Sequence, residues 1–146
     1  MSGFLSLGND QYIGTLTLSA TDGVEVGQFV VPDYANGVAT VPADATAGDG
    51  EVLFVQNEID TVFEQMIDDA DFVLKNGKFV KGHVPQAGDI IVTTNFTGTP
   101  ADGDILAVGA SGNLVAIAAR TPKYSFVVKS NAEVFYGNPA ISVVVK

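Results

Sequence analysis

The chain has no cysteine, no tryptophan, one histidine, and seven basic residues against seventeen acidic ones in 146 positions. Without cysteine there is no disulfide framework, no thiolate nucleophile and no cysteine-ligated zinc. Any triad or imidazole-based metal site has to use His83. A formal charge of −10 argues against a phosphate-backbone binder, which needs clustered Lys and Arg to displace counterions, so no nucleic-acid partner is expected. No run approaches the ~20 apolar residues of a bilayer span. The opening MSGFLSLGNDQYIG has neither the basic n-region nor the long apolar h-region of a secretion signal. The expectation is a soluble, unprocessed chain that does not enter a membrane.

What is present is a repeated strand grammar. Residues 27–41 (GQFVVPDYANGVATV) and 103–117 (GDILAVGASGNLVAI) align without a gap. Each opens on Gly and a polar residue, runs into an apolar strand, turns at Asn36-Gly37 or Gly112-Asn113, and enters a second strand. Gly50-Glu51 and Gly88-Asp89 open further β-branched runs, VLFV and IIV. Such runs, bounded by Gly, Pro, Asn and Asp, are the composition of short antiparallel strands. The linkers PADATAGD (42–49) and TGTPAD (97–102) punctuate them. YSFVVK (124–129) and AISVVV (140–145) read as closing strands, with SNAEVFYGNP between them as a strand fragment and a turn. The fold class is mainly β: an antiparallel β-barrel or sandwich of short hairpins. At this length one domain, residues 1–146, buries roughly 70% of the surface its unfolded chain exposes.

One segment departs from that grammar. Ile59, Val62, Phe63, Met66 and Ile67 recur on one helical face, and Thr61 with Glu64 makes a capping box. This predicts a short helix over about 61–68, closed by Asp68, Asp69 and Asp71, whose charge the C-terminal end of the helix dipole disfavours. The hairpin DFVLKNGKFVKG follows, with Asn76-Gly77 as a type I′ turn that sets Leu74 against Phe79 and Val73 against Val80. Residues 57–86 thus read as an inserted helix–hairpin element, and residues 1–10 as an N-terminal arm.

The charge is also uneven. Residues 1–74 hold thirteen acids and no Lys or Arg, whereas all seven basic residues lie between Lys75 and Lys146. Solubility explains an acidic surface; a face holding Lys75, Lys78 and Lys81 is the alternative, as a place to meet a partner.

Candidate catalytic and metal sites are few. His83, in KGHVPQAGD, has Asp89 close by in sequence, but no nucleophile elbow or comparable signature accompanies it, and a loop histidine is the better reading. Counting from Asp69 as a calcium loop puts Val73 and Leu74 at the fifth and sixth positions, where a ligand and Gly belong. The Gly48-Asp49-Gly50 triplet lacks the third glycine and the helix of a dinucleotide site, and there is no Walker sequence. Asn95-Phe96-Thr97 is a formal glycosylation sequon without a secretion signal. No catalytic residue, cofactor or metal is assigned.

Taken in order, GQFVVPDYANGVATV, an acidic helix leading into a Lys-rich hairpin, AGDIIVTTNF and DGDILAVGASGNLVAIA resemble tailed-phage head decoration (cement) proteins and related virion β-domains. The resemblance is one of layout over most of the chain. It implies a non-enzymatic protein on the outside of an icosahedral shell, bound to the major capsid protein, often as a homotrimer at a local three-fold axis, reinforcing capsomer junctions. It further implies a shell-contacting N-terminal arm, for which Phe4, Leu5 and Leu7 are the candidates here; these residues equally suit a first strand. A different class of function, a β-barrel accessory binding carbohydrate or another small ligand through its loops, stays open, although the missing tryptophan counts against it.

Overall fold

The computed structural model describes residues 12–56, 73–135 and 137–146. Phe4, Leu5 and Leu7, the helix expected at 61–68, and Asp68, Asp69 and Asp71 lie outside the described residues. The rest is built from thirteen strands: β1 (Tyr12–Ile13), β2 (Thr17–Ser19), β3 (Val24–Glu25), β4 (Phe29–Asp33), β5 (Val38–Thr40), β6 (Leu53–Val55), β7 (Val73–Leu74), β8 (Gly82–His83), β9 (Ile90–Thr93), β10 (Ile105–Val108), β11 (Leu114–Ala116), β12 (Phe126–Phe135) and β13 (Asn138–Val145). Two 3-10 turns, Thr46–Asp49 and Ala110–Gly112, join them.

Both matching hairpins form. β4 pairs antiparallel with β5, Val31 opposite Thr40, and β10 with β11, Leu106 opposite Ala116. They belong to different sheets. The first lies in a six-stranded sheet of order β1-β8-β6-β4-β5-β2, in which β2 and β5 run parallel. The second lies in a five-stranded sheet of order β11-β10-β12-β13-β9. That sheet curls until the chain after β9 reaches β11: Thr97 N–H donates to Leu114 O at 2.9 Å and Leu114 N–H to Asn95 O at 3.0 Å. The result is a mainly β half-barrel packed on a second sheet.

β4 and β6 explain why two of the sequence runs are apolar without alternation. Phe29, Val52 and Phe54 point into the half-barrel, whereas Val30, Leu53 and Val55 point the opposite way, into a second cluster with Leu18, Leu74 and Val80. A strand buried on both faces has no polar side to show. Phe29 sits at the centre of the first cluster, its ring 5.2 Å from Phe54 and 5.1 Å from Phe126 in tilted geometry. Its complete burial contributes about 2–3 kcal/mol of transfer free energy.

The Gly-polar openings have one shared physical cause. In Glu25–Gln28, Gln86–Asp89 and Ala101–Asp104 the fourth residue's N–H donates to the first residue's carbonyl, and its side-chain oxygen accepts the first residue's N–H at 2.7, 2.9 and 2.8 Å. The glycine between them has φ of +97°, +94° and +89°. Its N–H then donates to Val55, Val145 or Val128, and the same valine's N–H returns to the carbonyl of Gln28, Asp89 or Asp104. Each turn is therefore closed on itself and clipped to a neighbouring strand. Gly50 does not share this geometry; it follows a 3-10 turn with φ of −90°.

The Lys-rich hairpin is a correction. A turn does form at Lys75–Lys78, but only Gly77 there has positive φ, so it is not type I′. Among the described residues its arms do not pair with each other. β7 pairs with β3, Leu74 opposite Val24, while Phe79 bridges Thr17 and Val80 N–H donates to Leu16 O. The reason is burial: Leu74 and Val80 share the second core, and Val73 and Phe79 are exposed. A two-residue hairpin would put Leu74 and Phe79 on one face and so force one of the buried pair out. The SNAEVFYGNP segment also departs from expectation, because β12 runs on to Phe135 and forms a long hairpin with β13.

Candidate interaction surface

His83 lies on β8, opposite both Tyr12 and Phe54. Its Nε2 is 3.2 Å from Asp89 Oδ2, which also accepts the Gln86 N–H. The carboxylate closes the turn into β9, and the imidazole lies against it. The pair pins β8 to the neighbouring turn, as a structural contact. No group of three or more His, Asp or Glu side chains is placed to hold a metal among the described residues.

Sequence reasoning passed over the one arginine. Arg120 Nε donates to Asp49 Oδ1 at 2.7 Å, and its Nη2 to the carbonyls of Ala45 (2.8 Å) and Val108 (2.7 Å). The rigid guanidinium fork spans groups that an ammonium would have to choose between, and it staples the first 3-10 turn to β10. Its being the only arginine among seven basic residues was the available signal. Asn95, of the sequon, donates its amide nitrogen to Val26 O at 3.3 Å and is part of the fold's bonding. Lys75 and Lys78 stand exposed on the turn beside β2, with Lys81 half-buried.

The most unusual surface belongs to the half-barrel. Segments 90–100, 105–119 and 134–145 contain no charged residue. Along the five strands of this sheet the charges are Lys129 and Glu133, both on β12. The inward side chains, such as Leu106, Phe126, Val143 and Ile91, make the core. Alternation therefore puts Ile105, Val127, Val144 and Ile90 on the outside, and the registers set them side by side across four strands. Ile90 is 58% exposed and Ile105 41%; Val92, in the next row, is 49% exposed.

At the β10 end this row runs into a cleft of about 340 Å³ with Ile105, Ala116 and Ile117 along its wall and Thr97, Thr99 and Asp104 at its rim. Beside the cleft stands the distal half of the β12–β13 hairpin. Residues 131–134 and 137–139 are exposed, and Val134 is 69% exposed. The hairpin's root is fastened to the cleft wall: Asn131 N–H donates to Asp102 Oδ1 (2.9 Å) and its side-chain amide to Pro100 O (3.2 Å). An apolar row of side chains, a cleft and a projecting ribbon thus belong to the same curled sheet of a strongly acidic chain. No family model matches the chain, and neither a characterised protein nor a solved structure matches it.

Proposed function

We propose that this chain is a non-enzymatic structural protein of a virus particle, a decoration or cement protein that binds the outer surface of a tailed-phage capsid and stabilises it. The observation that carries the reading is the apolar row on the outer face of the half-barrel, with Ile90, Val92 and Ile105 uncovered in a chain of net charge −10. We take this uncovered apolar row as the face that docks. The three side chains offer about 250 Å² of apolar surface, worth about 6 kcal/mol at roughly 25 cal/mol per Å² before the cost of association. One copy held so weakly suffices when many copies bind one shell and neighbouring contacts add by avidity. The layout resemblance supports the major capsid protein as the partner. Purified protein mixed with undecorated expanded capsids should co-sediment, and Ile90→Glu should abolish it; wild-type protein left in the supernatant would count against the proposal.

A ligand-binding accessory of a phage tail or fibre is the second reading. It is favoured by the cleft, whose hydroxyl and carboxylate rim at Thr97, Thr99 and Asp104 meets an apolar wall. Glycan-array screening separates the two, since specific glycan binding with no capsid association would select the second.

A further inference from the structure

We infer that Asn36 is a site of spontaneous covalent modification, at which the folded chain converts an asparagine to aspartate and isoaspartate through a cyclic imide. Two asparagines precede a glycine, Asn36 and Asn76, and both stand exposed on turns. Glycine has no Cβ to shield its nitrogen, so an Asn-Gly pair is where the asparagine side chain and the following nitrogen meet most readily. In the reaction the Gly37 nitrogen gives its proton to hydroxide and attacks Asn36 Cγ. The N–Cγ bond forms, the Cγ–Nδ2 bond breaks, and Nδ2 leaves as ammonia with a proton taken from water. Water then opens the ring: cleaving the new bond leaves aspartate, and cleaving the original peptide bond leaves isoaspartate. Nothing is oxidised or reduced, and water is the only co-reactant.

The fold separates the two sites. At Asn76 both reacting groups are held by a distant strand: Gly77 N–H donates to Leu18 O at 2.8 Å, and Asn76 Oδ1 accepts Ala20 N–H at 3.0 Å. Leu18 N–H to Lys78 O and Val80 N–H to Leu16 O, both 2.8 Å, seat the rest of that turn on β2, with Leu74 and Val80 buried on either side of it. Freeing the nitrogen there means lifting the turn off the second core. At Asn36 the restraints are local. Asp33 accepts the Asn36 N–H at 3.2 Å and its Nδ2 at 2.8 Å, on an exposed turn where water competes for the same groups. Gly37 is held through its carbonyl, which accepts Thr17 N–H at 3.1 Å; among the described residues no backbone carbonyl accepts the Gly37 N–H. The product changes the turn. Loss of the amide puts a second carboxylate against Asp33, and isoaspartate adds a backbone carbon beside the Asp33–Val38 pair of the β4–β5 ladder.

Peptide mapping by mass spectrometry, on the full folded chain held in mildly alkaline buffer, tests this. The peptide carrying Asn36-Gly37 should gain one mass unit, part of it as isoaspartate. It should do so at least about tenfold faster than the peptide carrying Asn76-Gly77, the protection expected from hydrogen bonds that tie the second site to β2. In urea sufficient to unfold the chain, both sites should react at similar rates. Equal rates in the folded chain, an unmodified Asn36, or an Asn76 that stays slow in urea would each overturn the inference. Capsid co-sedimentation plays no part in this readout, so the proposed function stands or falls separately.

Discussion

Gly103 and Gly112 form a matched pair that separates backbone strain from steric overlap. Their φ values are +89° and +78°, a region that costs an L side chain about 1–2 kcal/mol. Replacing glycine also restricts the unfolded chain, which returns about 0.4–1 kcal/mol. At Gly103 a new Cβ meets nothing within 4 Å, so Gly103→Ala should cost only the difference, about 1 kcal/mol or less. At Gly112 the Cβ falls 2.2 Å from Phe29 O and 3.1 Å from Phe29 N. These are backbone atoms of β4, and the Phe29 side chain is fully buried between Phe54 and Phe126, so neither can swing aside. Overpacking of this kind adds about 1–3 kcal/mol, which brings Gly112→Ala to about 3 kcal/mol in total. In a chain of this length that lowers Tm by about 6–12 °C. Urea unfolding of both variants gives the comparison through their midpoints, provided the slopes agree. Equal destabilisation, to within about 1 kcal/mol, would refute the packing of the second hairpin's turn onto β4.

Other consequences are equally direct. Arg120→Met keeps the apolar stem but strands the Asp49 carboxylate and two carbonyls, so it should cost about 2–4 kcal/mol in denaturant unfolding. Asp49→Asn, which spares both carbonyl bonds, should cost clearly less; equal losses would show that the fork geometry does not matter. The Asp33 carboxyl titrates below its usual 3.8, first because the Asn36 side chain donates to it and then because the Asn36 N–H does. Its contribution is therefore present above the unfolded value and lost as pH falls through the lower folded one. Asn36→Ala should bring the Asp33 titration, followed by NMR, back up toward the ordinary carboxylate range, and an unchanged titration would rule out this cause.

The parts legible in the sequence were those with local causes. The Gly-Asp and Gly-Gln openings could be read because the turn closes within four residues, so its chemistry is written in consecutive letters. The apolar runs of β4, β6 and β9 followed from β-branched composition, and β12's first half from YSFVVK. The Lys75–Lys81 segment departs from the expected hairpin because a turn does not by itself fix which strands its arms join. Asn76-Gly77 does turn the chain, but the alternatives for the flanking strands differ in which side chains they bury. That competition includes Leu16, Leu18 and Val24, fifty or more residues away.

The candidate surface shows the same division. That segments 90–100, 105–119 and 134–145 contain no charge is a property of the sequence alone, and it holds whatever the fold. That they lie in one curled sheet, that Ile105, Val127, Val144 and Ile90 stand side by side, and that Val134 projects from it were decided by strand order. Alternation assigns each side chain to one of two faces but does not say which face another sheet will cover. Phe29 and Phe54 fill one side of the half-barrel and leave the other to solvent. Turn chemistry and strand composition are local free energies that the sequence settles by itself. Which apolar face is buried, and which is left for a partner, depends on contacts between distant segments and exists only in the tertiary structure.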